Sequence, residues 1–169
     1  IDPKMIDWLE GPNELDNTPD WYKDLTAAQW MASFWSELAD LMHAGGFKPL
    51  VGSIVPGQTA LADELYPGSP NLFEPIANIM KAKNYKWGWS YHPYTLAYSK
   101  DSDKESAYAL YYRKILDEVD LDGVPLVHTE GGFWGGWKDK ATAEEYLDWL
   151  KWFDSQLMRD KDVVVMTIF

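Results

Sequence analysis

Five short apolar runs alternate along the chain with longer segments in which apolar residues recur every three or four positions. The short runs cover residues 5–9, 49–55, 87–91, 125–129 and 163–169, and they contain many β-branched side chains. Nearly continuous apolar strands of this kind are buried on both faces, as in a parallel sheet covered by helices. The pattern therefore predicts an α/β fold in which five parallel strands alternate with four helices.

A start signal precedes each predicted helix. Three signals are capping boxes, in which a Thr or Ser is followed three residues later by Gln or Glu: Thr26 with Gln29, Ser102 with Glu105, and Thr142 with Glu145. The fourth is Ser69 followed by Pro70, whose missing N–H costs nothing at the first helical position. The apolar spacing predicts that the first and last helices bury Trp30, Phe34, Leu38 and Leu41, and Tyr146, Trp149, Leu150, Phe153 and Leu157.

Composition narrows the possible functions. The chain has 169 residues, is 46% hydrophobic and has no dividing linker, so we expect a single domain over residues 1–169. It has no cysteine and a formal net charge of -12, which argues against thiolate metal sites and against nucleic-acid or anionic-membrane partners. Its ten Trp residues either fill the core or line a cleft for an apolar or sugar ligand.

The long loops follow the strands and precede the helices, and in a parallel sheet they share the edge where α/β proteins place their sites. Glu14 and Glu130 each follow a strand at that edge. Two carboxylates across one cleft suit glycoside hydrolysis, in which one protonates the leaving group while the other assists attack. The alternative interpretation is that both residues are ordinary loop carboxylates exposed to solvent.

The neighbours of Glu130 favour a site. Two glycines follow it, and Trp134 and Trp137 come next, offering flat apolar faces for a sugar ring. His92 and Tyr94 end the middle strand with a spacing of two, which points both side chains to one face. A Tyr hydroxyl on that face can donate to an ionised carboxylate.

Together, these residues resemble the clan A glycoside hydrolases, the "4/7" superfamily of (β/α)8 barrels. If residues 5–9 are strand four, residues 125–129 are strand seven. The resemblance then implies that Glu14 is the acid/base, Glu130 the nucleophile, and Asn13 a ligand of the sugar 2-hydroxyl. It also implies that Tyr94 holds the nucleophile and that His92 lines the cleft beside the acid/base.

What the resemblance implies overall is a retaining β-glycosidase that uses no cofactor or metal and acts on poly- or oligosaccharide. A retaining mechanism places the two carboxyl groups about 5–5.5 Å apart, and an inverting one about 6.5–9.5 Å. Because the chain supplies only strands four to eight, we expect a partial TIM barrel. The remaining strands then belong to a longer form of this chain or to a second chain, or are replaced by self-association. An inactive barrel that only binds carbohydrate through Trp platforms remains an alternative, as does another (β/α)8 enzyme.

Several other residues are assigned to packing or turns. His128 is predicted to be a core histidine with a satisfied hydrogen bond, on the same face as Glu130, and His43 to interact with a helix dipole. We expect Trp87 and Trp89 to pack under helices, Trp21 and Tyr98 to be candidates for outer subsites, and turn roles for Asp16, Asn17 and Asp20.

Overall fold

The computed structural model describes residues 2–14, 25–54, 74–83 and 87–169. The strands in this part are β1 (Leu9–Glu10), β2 (Pro49–Ile54), β3 (Gly88–Tyr91), β4 (Tyr94–Thr95), β5 (Leu126–Phe133) and β6 (Val163–Ile168). The α-helices are α1 (Leu25–Ala44), α2 (Glu74–Ala82), α3 (Ser102–Glu105), α4 (Tyr111–Val119) and α5 (Ala143–Leu157).

Every strand pairing in the described residues is parallel. β1, β2, β3, β5 and β6 are neighbours in chain order, and the two-residue β4 pairs with the far end of β5. The sheet curls into a half-barrel, consistent with a partial TIM-like barrel, with helices covering its outer side. The predicted α/β class and the parallel sheet are therefore confirmed. Two departures are β4, which the apolar pattern did not indicate, and a fifth helix, because the single helix predicted from Ser102 is divided into α3 and α4.

The first strand lies later in the chain than its apolar run suggested. Residues Pro3–Met5 form a 3-10 turn, and the side chain of Asp2 caps it by accepting a hydrogen bond from the backbone N–H of Lys4. A proline at the first position suits a helical turn, and the cap satisfies one of its free donors. The strand is confined to Leu9–Glu10, which brings Glu10 into the sheet.

The predicted capping box of the last helix is confirmed. Thr142 and Glu145 bond each other's backbone N–H groups at the start of α5. At α3, Asp101 is the cap instead, since its carboxylate accepts from two backbone N–H groups of the first turn. Thr26 lies inside α1 rather than before it. The fourth signal, Ser69–Pro70, lies outside the described residues.

The buried face of α1 differs from the predicted one by a rotation of about one residue. Trp30 and Leu41 are 64% and 71% exposed, while Phe34 and Leu38 are only partly buried. The core-facing residues are instead Met31, Ala32, Trp35, Ala39 and Met42. The helix carries two adjacent apolar stripes, and the packing partners decide which of them faces inward.

The last helix buries the face that was predicted. Tyr146, Trp149, Phe153 and Leu157 are buried, and Leu150 packs against the same cluster. Trp87 and Trp89 also lie in the core, as expected from their alternation with His92. Among the described residues, no helix combines the length and apolarity needed to span a membrane.

Candidate functional site

His92 lies between two carboxylates just beyond the end of β3. Its ring is fully buried, and Nδ1 is 2.8 Å from Oε1 of Glu14 and 3.7 Å from Oε2 of Glu130. One carboxylate oxygen of Glu14, one carboxylate oxygen of Glu130 and one ring nitrogen of His92 all lie within 4.8 Å of one another. The fold therefore brings together two acids separated by more than a hundred residues of chain.

Tyr94 fixes the position of Glu130. Its hydroxyl donates a hydrogen bond of 2.6 Å to Oε2 of Glu130, the contact expected from the resemblance. Burial and this hydrogen bond raise the pKa of Tyr94 above its ordinary value, so the hydroxyl keeps its proton at neutral pH. Glu130 therefore has a permanent hydrogen-bond donor.

Glu14 has an unusual backbone conformation. Its φ is 46°, in the left-handed region, whereas non-glycine residues rarely adopt positive φ. Such a conformation costs on the order of 1–3 kcal/mol and is found most often at functional sites. Asn13, the preceding residue, is exposed beside the site. The turn therefore directs the Glu14 carboxyl toward His92 at an energetic cost.

A third acid, Glu10, belongs to the same cluster and was missed in the sequence. Its Oε1 accepts a 2.7 Å hydrogen bond from the Thr129 hydroxyl and a second bond from Ser90. Burial alone would raise the pKa of Glu10, but these hydroxyls and His92 outweigh it and lower the pKa. The sequence offered one indirect signal. Ser90, which bonds Glu10, lies two residues before His92, and residues two apart on a strand share a face.

The far side of the His92 ring contacts two hydroxyls. Nε2 is 3.1 Å from Oγ of Ser53 on β2 and 3.1 Å from Oγ1 of Thr129 on β5. Burial alone would lower the pKa of His92, yet the surrounding carboxylates outweigh it and raise the pKa. The imidazole is thus hydrogen-bonded at both nitrogens.

The prediction for His128 is partly wrong. It is a core residue, but neither ring nitrogen has a hydrogen-bond partner in the described part of the chain. It packs against Tyr112 and Phe153 of the helices, away from the site that Glu130 faces. The pairing of β5 with β6 is irregular between His128 and Gly131, and this irregularity breaks the strict alternation of side chains.

The two tryptophans differ in what they contact. Trp134 is 45% exposed, and its ring lies 5.4 Å from the Tyr94 ring in an edge-to-face arrangement. Trp137 stacks on Tyr146 at 5.4 Å and 7°, so one of its faces is already covered. Trp134 is therefore the better placed of the two to contact a ligand bound near Tyr94.

The glycines after Glu130 make room for the protein itself. A Cβ on Gly131 would lie 2.8 Å from Sδ of Met166, and one on Gly132 would lie 2.9 Å from the carbonyl oxygen of Phe169. These contacts give both glycines a packing role within the chain.

Other residues singled out in the sequence lie apart from the cluster. Tyr98 donates to Asp148 of α5 over 2.7 Å, so its hydroxyl is engaged with a helix rather than with a subsite. His43 is exposed in the last turn of α1, where the helix dipole favours it. Trp21 and the proposed turn residues Asp16, Asn17 and Asp20 lie outside the described residues.

The cluster places two carboxyl groups next to an imidazole that can bind a proton, so it can donate and accept protons. Glu14, His92 and Glu130 also present donor atoms of the kind that divalent metals accept. In the structure these atoms bond one another and Tyr94, which accounts for their positions. No protein-family model, curated protein or solved structure matches this chain.

Proposed function

We propose that the protein is a retaining glycoside hydrolase that cleaves β-linked poly- or oligosaccharides with Glu14 and Glu130. The observation that carries the proposal is the proximity of the two carboxylates, whose nearest donor atoms lie within 4.8 Å across His92. A retaining pair has carboxyl groups about 5–5.5 Å apart, and an inverting pair about 6.5–9.5 Å apart. The spacing supports the retaining mechanism.

The first step forms a covalent intermediate. A carboxylate oxygen of Glu130 attacks the anomeric carbon, the glycosidic C–O bond breaks, and Glu14 gives its proton to the departing oxygen. In the second step Glu14 takes a proton from water, whose oxygen attacks the anomeric carbon and releases Glu130 as a carboxylate. Atoms and charges balance over the cycle, and the sugar leaves with its original anomeric configuration.

The contacts of each acid support its assigned role. Tyr94 donates a hydrogen bond to Glu130, which holds the carboxyl group in position for attack. Glu14 bonds Nδ1 of His92, a group that can carry or return a proton. Asn13 precedes Glu14 and is exposed at the cleft, where the resemblance assigns it to the sugar 2-hydroxyl.

Two substitutions separate the roles. We expect Glu130→Gln to abolish turnover of every glycoside, because no covalent intermediate can form. Glu14→Ala should spare nitrophenyl glycosides, whose leaving groups need no acid for the first step, while losing activity on unactivated sugars. The distant, exposed Glu37→Gln is the matched control and should keep full activity.

Covalent labelling identifies the nucleophile directly. A 2-fluoro glycoside with a good leaving group should attach to Glu130, and peptide mass spectrometry would locate the label. A label on Glu14 would reverse the two roles. Absence of both label and turnover, with retained oligosaccharide binding, would favour the alternative of an inactive barrel that binds carbohydrate.

The exposed ring of Trp134 next to Tyr94 is the observation that favours the alternative of an inactive, carbohydrate-binding barrel. We expect Trp134→Ala to weaken oligosaccharide binding by about 0.5–1.5 kcal/mol, the contribution of an aromatic pair beyond area burial. Trp137→Ala should instead lower stability, because Trp137 stacks on Tyr146. Isothermal titration and thermal melting separate the two effects.

We also propose that further strands, from a second chain or a second copy of this one, complete the barrel. A groove of about 480 Å³ runs between α5 and β6, and the exposed apolar residues beside it include Leu147, Val164 and Ile168. Large exposed apolar surfaces usually mark interfaces. Sedimentation should give a mass above 19.4 kDa, and Val164→Lys should reduce it; a monomer would contradict self-association.

A further inference from the structure

We propose that Glu10 is a positioning residue: acting through Thr129, it keeps hydrogen on Nε2 of His92, so that Nδ1 and the Glu14 carboxyl share one proton. This inference rests on the proposed function only where Glu14 is named the acid. The arrangement of hydrogens follows from the contacts alone.

The chain of hydrogen bonds begins at Glu10. Its Oε1 accepts from the Thr129 hydroxyl over 2.7 Å, and also from Ser90, which itself lies 2.7 Å from Thr129. An ionised carboxylate can only accept hydrogen bonds. The single hydrogen of the Thr129 hydroxyl is therefore donated to Glu10, away from His92.

The direction of the Thr129 hydroxyl bears on the tautomer of His92. Nε2 lies 3.1 Å from Oγ1 of Thr129, and that oxygen has only a lone pair left to offer. A bare Nε2 would face that lone pair, so the contact with Thr129 favours hydrogen on Nε2, and the Ser53 hydroxyl, 3.1 Å from Nε2, can then accept as well. Oε1 of Glu10, at 3.8 Å from Nε2, adds a favourable charge to the same side of the ring.

A hydrogen on Nε2 determines how many protons Nδ1 and the Glu14 carboxyl hold between them. With hydrogen held on Nε2, Nδ1 either accepts from a protonated Glu14 or, in the imidazolium, donates to an ionised Glu14. Both arrangements contain one proton across the 2.8 Å gap between Nδ1 and Oε1. When Glu14 gives a proton to the leaving group, the pair as a whole supplies it, and water later restores it.

The groups that set the charge of His92 come from every element around it. They are Glu10 on β1, Ser53 on β2, Ser90 on β3, Glu14 in the turn after β1, Tyr94 on β4, and Thr129 and Glu130 on β5. Of the three acids, Glu10 is the one that accepts hydrogen bonds from Ser90 and Thr129.

The test is a nitrogen-15 NMR titration of the histidine rings, which needs no substrate. The chain has three histidines, and His43→Gln and His128→Phe assign the signals. In the unaltered protein we expect His92 to keep hydrogen on Nε2 throughout the titration while only Nδ1 titrates. In Glu10→Gln, proton binding at Nδ1 should weaken at least about tenfold, because a nearby opposite charge is lost.

Two further variants separate a positioning role from general disruption. Glu10→Asp keeps the charge and should restore most of the proton affinity, whereas Glu37→Gln should leave it unchanged. Thr129→Val removes the relay hydroxyl and should let His92 populate both neutral tautomers; it also serves as the test should Glu10→Gln fail to fold.

A neutral His92 with hydrogen on Nδ1 in the unaltered protein, or equal titration in Glu10→Gln and Glu37→Gln, would overturn the proposal. Failure of the proposed function gives a different result. If His92 titrates as expected and no glycoside is cleaved or labelled, the glycosidase proposal fails while the role of Glu10 stands.

Discussion

His128 provides the sharpest test of the packing. Its imidazole is completely buried, lies 4.8 Å from the Tyr112 ring, and has no hydrogen-bond partner for either nitrogen in the described part of the chain. Burial, with a smaller contribution from the charge of His92, lowers the pKa of His128 from 6.5 to about 3. The folded protein therefore holds this ring neutral at pH values where the unfolded chain protonates it.

The sign and size of the effect follow from proton linkage. Below pH 6.5 the unfolded state binds a proton that the folded state refuses, so stability falls as the pH falls from 6.5 toward 3. Between about pH 7 and about pH 5, protonation of an unfolded histidine with the ordinary pKa removes about 2 kcal/mol. This loss should be absent when residue 128 cannot titrate.

The assay is urea unfolding at both pH values for the unaltered protein, His128→Phe and His128→Leu. Whatever each substitution does to absolute stability, the variants should lose about 2 kcal/mol less than the unaltered protein between the two pH values. Gln29→Ala changes an exposed residue that does not titrate, so it is the control and should keep the unaltered pH dependence. Equal losses in all four proteins would refute the assignment of His128 as a buried neutral base.

Three further predictions concern stability. Glu105→Gln should raise the melting temperature relative to the unaltered protein, increasingly so from about pH 4 to about pH 8. Burial raises the pKa of Glu105, and one of its carboxyl oxygens has no hydrogen-bond partner among the described residues. A difference that does not change with pH would contradict this. Thr142→Ala should cost about 0.5–2 kcal/mol in urea unfolding, since it removes the cap shared with Glu145. Gly11→Ala should cost about 1–3 kcal/mol, because its Cβ would overlap the buried Trp35 ring. Unaltered stability would show that the ring can move.

The order and type of most elements could be predicted from the sequence because they depend on local patterns. Strands β2, β3, β5 and β6 follow continuous apolar runs, and the buried face of α5 follows from its spacing. Glu14 and His92 could be chosen because each follows a strand, and parallel strands end at one edge. Glu130 and Tyr94 were also expected at strand ends, but the structure places Glu130 within β5 and Tyr94 at the start of β4. These inferences needed only the period of each element and the parallel sheet.

The tertiary structure decided which of two equally apolar stripes of α1 is buried, since only the neighbouring elements distinguish Trp35 from Trp30. It also decided that His128 faces the helices while Glu130 faces the site, because an irregular pairing with β6 breaks the alternation. Glu10 joined the cluster through contacts with residues 80 and 119 positions away. Hydrogen bonds of that kind depend on the curvature and register of the sheet, which no local sequence pattern specifies.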